Sequence, residues 1–408
     1  MSNLLSFFYL RITRLGSNIT KYFLGVFLFM AYAQPAFSED LFGIVISSPN
    51  NQFTKYTENF DSIGDLYTAT KQTSISKIGD YNQNSAVDID ITLGNSSAKI
   101  SYAADSTALE FSMPNCDGVS ISYNGTESRT ANEISLKDHL NNPNISKKIR
   151  ECSGVGTVTV CLVDCGGDFL GSDDPDADNE KFHAGLTIGY SSTGKLNSSI
   201  LTLPLSYTHY FEEKGRKLKL SAPISYVDIN GSKAYKASLG LIYTKPINER
   251  WTIIPAARLG ITMSKDLGIA ATIASGYLTN RYEFPYRNKH ITLANMVGVM
   301  TSVDVNIGGY KKPYDLNNQV IKNGIAVEFP QTFNMLGGKT SIQASLANTQ
   351  YFGDKMLVDN YTDIALSFGT RHKVGNKDNS QDSLQLGFTY TVGNNGHKGG
   401  KINFGYEF

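Results

Sequence analysis

From Lys181 to Phe408, apolar and polar residues alternate with a period of two through one run after another. Phe182, Ala184, Leu186, Ile188 and Tyr190 alternate with His183, Gly185, Thr187 and Gly189. Leu201, Leu203, Leu205 and Tyr207 alternate with Thr202, Pro204, Ser206 and Thr208, and Tyr235, Ala237, Leu239, Leu241 and Tyr243 with Lys236, Ser238, Gly240 and Thr244. The pattern also covers 217–226 and 251–263, and returns near 267–279, 290–305, 320–329, 340–348, 362–370, 383–392 and 401–408. Successive side chains of an extended chain point to opposite faces, so each run predicts a β-strand with one apolar and one polar face. About twelve such strands follow one another, joined by turn sequences such as Asn230-Gly231-Ser232, Asn248-Glu249 and Ser264-Lys265-Asp266.

Strand length and facing decide the architecture. Runs of roughly nine to twelve residues exceed the usual five or six of a globular sheet and suit a tilted crossing of a bilayer. The non-apolar face is rich in Gly, Ser, Thr and Ala, as a wet lumen would be. Tyr190, Tyr207, Tyr226, Tyr243, Trp251 and Phe408 stand near run ends, where a girdle at the lipid headgroups would place them. Long apolar-faced strands with no helices to cover them need closure on themselves. The expected fold is therefore mainly β: an antiparallel transmembrane barrel of about twelve strands over 181–408, preceded by a small domain.

That domain, 39–167, has a different texture. Residues 50–85 are polar and irregular, with a short helix expected at 63–70. A meander of short strands follows, carried by Val87, Ile89, Ile91 and Leu93, then Ile100 and Tyr102, then Leu109, Phe111 and Met113, then Val119, Ile121 and Tyr123. Thr130 and Glu133 form a capping box that opens a helix to about Leu140, and Pro143 ends it. A second short helix is expected over 145–151 and another strand over 155–163, so the domain reads as α+β. All four cysteines lie here: Cys116, Cys152, Cys161 and Cys165. An even count in an exported chain points to two disulfides in an unassigned pairing, and the absence of a Cys-x-x-Cys pair argues against zinc. The stretch 168–180 is an acidic linker. Asp174, Asp176 and Asp178 have the opening spacing of a calcium loop, but Asn179 and Gly185 stand where such a loop needs glycine and a bidentate acid.

Export is expected from the first 38 residues. Arg11, Arg14 and Lys21 precede an apolar run from Tyr22 to Ala33, and small residues mark cleavage after Ala33 or Ser38. The run is too short to span a bilayer, which takes about twenty residues. A formal net charge of +0 gives no basic field for nucleic acid.

The last residues add a family likeness. Ile402, Phe404, Tyr406 and Phe408 share one face, with Asn403, Gly405 and Glu407 on the other. Such a final strand, ending aromatic-x-Phe, resembles the closing strand of bacterial outer-membrane barrels. The resemblance implies that Phe404, Tyr406 and Phe408 are the signal read by the barrel-assembly machinery. Barrel and exported front domain together resemble the solitary autotransporter-type translocator barrel. The departures are a short front domain without a repetitive pattern, its four cysteines, and an acidic linker that is not an evident helix.

Function follows only coarsely. The expectation is an outer-membrane barrel without cofactor or metal, held in outer-membrane lipid, that anchors or displays its front domain to a surface or periplasmic partner. The alternative is a small-solute pore plugged by that domain, with Lys217, Lys219, Lys236, Arg258, Glu328 and Asp363 on the lumen phase and Arg258 nearest mid-height. Outer-membrane hydrolase readings are weaker. His209 falls on the lipid phase away from Ser206 and Thr208, and Asp228 and Asp304 suit a protease site by position only. Deleting Phe408 is expected to cut insertion into the outer membrane severalfold, measured as heat-modifiable barrel in isolated membranes.

Overall fold

The computed structural model describes residues 42–48, 56–60, 85–94, most of 96–123, a few positions between 135 and 149, and, in the barrel, 181–264, 269–287, 289–303, 316–335, 338–371 and 383–407. The export segment, the 63–70 helix, the capping box, the 155–163 strand, the acidic linker, Cys152, Cys161, Cys165, Asp304 and Phe408 lie outside the described residues. Asp40–Phe408 form one compact unit.

Its first sheet has six antiparallel strands: β1 (Phe42–Ser47), β2 (Tyr56–Phe60), β3 (Val87–Leu93), β4 (Ser96–Tyr102), β5 (Leu109–Ser112) and β6 (Ile121–Tyr123), in the order β2-β1-β3-β4-β5-β6. β3 to β6 are the expected meander. β1 and β2 are additions, and β2 corrects the expectation of irregular chain over 50–85. Its sequence, YTENF, has no strong strand signal of its own, and pairing with β1 from Phe42↔Phe60 to Ile46↔Tyr56 makes it a strand. Phe42, Ile44, Ile46, Leu109, Phe111 and Val119 are almost fully buried. Residues 135–136, 139, 145 and 148–149 are helical.

The second sheet holds fourteen segments. They are β7 (Lys181–Thr193), β8 (Leu196–Leu203), β9 (Leu205–Tyr210), β10 (Lys217–Ser221), β11 (Ile224–Ile229), β12 (Ser232–Pro246), β13 (Trp251–Ser264), β14 (Ile269–Tyr286), β15 (Lys289–Val303), β16 (Asn317–Met335), β17 (Gly338–Gly353), β18 (Asn360–Arg371), β19 (Ser383–Gly393) and β20 (Lys398–Glu407). Two strands are interrupted by proline, which cannot donate to the ladder. Pro204 separates β8 from β9, and Ala222-Pro223 separates β10 from β11. β7 pairs with both halves of the first, and β12 with both halves of the second. The carbonyls at the breaks stay engaged: Gly185 N–H donates to Pro204 O at 3.1 Å and Ser238 N–H to Pro223 O at 3.1 Å. With each interrupted pair counted once, the segments are twelve strands. β20 pairs with β7 from Lys398↔Ser192 to Glu407↔His183, so the sheet closes without a free edge. Lys181 and Glu407 lie at one end, here the near end, and the β7–β8 hairpin lies at the far end.

The outer face is apolar. Leu239, Leu259, Val299, Leu366 and Phe388, on five strands of the barrel and in phase with one another, are each more than half exposed. A soluble domain does not carry so extensive a patch. At the near end, two connections are shorter than expected. β14 runs on to Tyr286 and β16 to Met335, with a register shift between Pro330 and Asn334, so 281–289 and 330–339 are mostly strand. The outer apolar phase is interrupted at Asn280 in β14, and Pro330 interrupts the pattern in β16, while backbone pairing continues past both. Residues 372–382 lie outside the described residues.

One close approach needs a glycine. Gly298 is paired with Tyr277, and a Cβ on it would sit 2.4 Å from Tyr277 Cδ1 and 2.9 Å from Gly276 O. The tyrosine ring lies over the missing side chain. Gly298→Ala is expected to cost roughly 1–3 kcal/mol by overpacking, read from urea titration of barrel folded in lipid vesicles. Gly276→Ala, where the nearest atom is 4.0 Å away, should change stability far less.

Candidate functional site

The far mouth is where the two sheets meet. The β7–β8 hairpin turns at Gly194 (φ 58°) and the β11–β12 hairpin at Asn230 and Gly231 (φ 46° and 90°), conformations open to glycine and asparagine. Below these turns, cross-strand pairs set Ile200 opposite Val227 and Val227 opposite Ala234 on the inner face. Val227, Ile229 and Ala234 are fully buried, and Leu196 is nearly so. They form one continuous cluster with Phe42, Ile44, Leu109, Phe111 and Val119 of the first sheet, and Leu357 from the β17–β18 connection packs against it. The core of the front sheet thus runs into the inner wall of the barrel.

The sequence reading missed this contact because Val227, Ile229 and Ile200 sit on the phase assigned to the wet lumen. A signal exists in hindsight: Ile200-Leu201 and Tyr226-Val227 are apolar on both phases, the mark of a strand covered on both faces. A second inner cluster lines the opposite arc. Ile273, Met296, Met300, Val320 and Tyr351 on β14 to β17 pack with Leu316 and with Met356 of the β17–β18 connection.

Polar inner residues occupy the rest. Lys217 and Lys219 lie near the near end, with Lys219 and Lys181 both paired to Thr208, and Lys217 Nζ 5.9 Å from the Tyr210 ring centroid. Lys236, buried, lies opposite Ser225 and Thr262. Arg258, also buried, lies opposite Gly240 and Ser275, and a Cβ on Gly240 would come within 3.2 Å of its Nε. Glu328 is buried between His290 and Gln343, and Asp363 accepts a hydrogen bond from Thr391 Oγ1 at 2.6 Å. The structure brings Lys181, Lys217 and Lys219 together. Lys236 and Arg258 are more than one cross-strand pair apart and Glu328 and Asp363 stand on the other arc, so the six candidates do not form one ring. An ion pair that the sequence reading did not single out, Arg281 Nε to Glu283 Oε1 at 2.9 Å, lies on the same inner phase.

Other candidate chemistry is dispersed. His209 is on the outer face, edge-on to Phe211 at 5.1 Å. Asp228 caps its own hairpin, accepting from Gly231 N–H at 2.9 Å. Among the described residues no group of three His, Cys, Asp or Glu could hold a metal ion. Cys116 is buried in the first sheet's core. Phe404 and Tyr406 are paired with Leu186 and Ala184 across the seam.

His397, in the turn before β20, bonds through Nδ1 to Thr193 Oγ1 at 2.7 Å and so ties the two sides of the seam. Burial holds its pKa below the usual imidazole value, Lys401 pushes the same way, and Asp363 opposes them.

A closed antiparallel barrel with an apolar outer face and a largely polar inner one defines a membrane-spanning β-barrel. Solved structures of similar fold are bacterial barrels. The β-domain of the Bordetella autotransporter Brka aligns at 13% identity over 57% of this chain and 99% of its own, with a TM-score of 0.43. The translocator domain of autotransporter NalP from Neisseria meningitidis aligns at 9% identity over 62% and 94%, with a TM-score of 0.40. The COG4313 outer-membrane channel from Pseudomonas putida F1 aligns at 13% over 58% and 98%, with a TM-score of 0.36. No protein-family model matches the chain, and no curated protein matches it. The likeness to the autotransporter barrels is one of fold.

The lowered pKa of His397 in the folded state sets the sign of a pH effect. The unfolded imidazole takes up a proton below about pH 6.5, and the folded one resists it, so stability is full above that value and falls as pH drops through it. Between pH 7.5 and 5 the native barrel should lose roughly 1 kcal/mol or less that a His397→Gln barrel does not lose, measured by urea titration at both pH values.

Proposed function

We propose that this protein is an outer-membrane barrel that anchors and displays its N-terminal domain, and that the docked domain stops the lumen. The observation that carries the reading is the continuous core between the front sheet and Leu196, Val227, Ile229 and Ala234 at the far mouth. That mouth is the one remote from Lys181 and Glu407. With the chain ends of the barrel on the periplasmic side, the front domain stands on the outer side. In this reading the domain is a compact α+β unit held by two disulfides, with Cys116 buried in its core. Its partner is a surface-exposed molecule, the barrel-assembly machinery inserts the barrel, and no catalysis is assigned.

The pore reading is favoured by one observation, the cationic inner residues Lys181, Lys217, Lys219, Lys236 and Arg258. Conduction would then require the front domain to leave the mouth. Both readings meet in one experiment. An epitope inserted between Asn124 and Gly125 should be reached by antibody and protease on intact cells, and the purified barrel should show no steady conductance in a planar bilayer. Ile229→Asp, which places a charge in the core shared by the front sheet and the barrel wall, should raise single-channel openings from rare to sustained. An epitope shielded until the outer membrane is opened overturns the display reading, and steady conductance of the native chain overturns the stopper.

A further inference from the structure

Among the described residues, the near end carries cations seated on aromatic rings over one arc. Arg216, in the β9–β10 connection, lies between two rings, its Cζ 5.1 Å from the Phe211 centroid and 5.5 Å from that of Tyr243. It also pairs with Glu213 at 2.9 Å and donates to the Tyr243 hydroxyl. Arg287 Cζ lies 5.6 Å from the Tyr286 centroid, and Lys289 Nζ lies 4.7 Å from that of Phe329. Between them, Lys245 is exposed in phase with the outer residues Leu241 and Tyr243. Trp251 and Tyr282, paired with each other, are exposed on the same face.

These residues sit on consecutive neighbours from β10 through β12, β13, β14 and β15 to β16, so they form one arc. Carboxylates enter it only in the turns, as Glu212, Glu213 and Glu249. On the remaining strands, the described outer residues at this end are Ile342, Phe368, Leu384, Tyr406, Phe182, Tyr207 and His209, none of them lysine or arginine. An aromatic girdle alone would run evenly around the barrel. A cationic arc at the border of the apolar face is instead an electrostatic seat for phosphate at headgroup depth.

We propose that this arc binds anionic phospholipid, with Arg216, Lys245, Arg287 and Lys289 taking the phosphodiester of a phosphatidylglycerol-type headgroup while Trp251, Tyr282 and Tyr286 lie against its upper chains. The ring faces hold the cationic heads at the membrane border, and ring contact lowers their loss on leaving water. The inference rests on the barrel spanning a bilayer and does not depend on where the front domain sits.

The chain has a single tryptophan, and it lies in the arc, so its fluorescence reports the lipid bound there. The full-length protein is folded into phosphatidylcholine vesicles containing phosphatidylglycerol, with bromine on the chains of one lipid or the other. Brominated phosphatidylglycerol should quench Trp251 beyond its mole fraction, an enrichment of roughly threefold or more. The preference should fall to parity in a variant carrying Arg216→Gln, Lys245→Gln, Arg287→Gln and Lys289→Gln, and persist when Lys195, Lys233, Lys355 and Lys398 at the far end become glutamine. Quenching of native Trp251 in proportion to mole fraction overturns the lipid seat alone. No quenching by either lipid overturns the membrane span and the lipid seat with it.

Discussion

The structure depends on the seam between β20 and β7. In the hydrocarbon of a bilayer no water can satisfy a backbone N–H or C=O, and each orphan costs several kcal/mol. A sheet survives there only when its last strand pairs with its first. The register from Lys398↔Ser192 to Glu407↔His183 supplies that pairing over the full length of β20. The irregularities respect the same constraint. Pro204 and Pro223 break strands, yet their carbonyls accept from Gly185 and Ser238, so the ladder is interrupted without exposing its acceptors. The Thr193–His397 bond adds a side-chain tie at the far end of the seam.

Closure leaves an interior to be filled, and the two ends solve this differently. Toward the far mouth the wall is apolar on both arcs, and one arc is covered by the core of the front sheet. Residues 356 and 357 of a single connection reach the two clusters, Met356 one and Leu357 the other, so the mouth is packed from both sides. Lower down, charge takes over, and burial of Lys236, Arg258, Arg281 and Glu328 demands compensation that an apolar wall would not supply. A front domain fastened by apolar burial above a charged lumen is a geometry suited to holding a domain in place, and it makes passage of solute conditional on undocking.

The outside is also uneven. Both ends carry aromatic residues, and among the described residues the outward cation–ring pairs at the near end lie on one arc. Which rings those cations meet is set by neighbouring strands, a property that the period-two pattern shared by all the strands cannot encode.

Sequence alone determined what one strand's own residues dictate. Alternation in runs such as 182–190 and 235–243 named the strands, their outer phase and the closed barrel, because the solvent on each face selects the side chain there. The inner phase of Lys217, Lys219, Lys236, Arg258, Glu328 and Asp363 followed from the same parity. Tertiary structure decided everything that needs a second surface. β2 became a strand only through β1. The strands continued to Tyr286 and Met335 past the breaks in the pattern at Asn280 and Pro330, because backbone pairing does not depend on an unbroken apolar face. Val227 and Ile229 were legible as apolar residues on a polar phase, but what covers them lies more than a hundred residues away in the front sheet, and no local pattern encodes a contact at that separation.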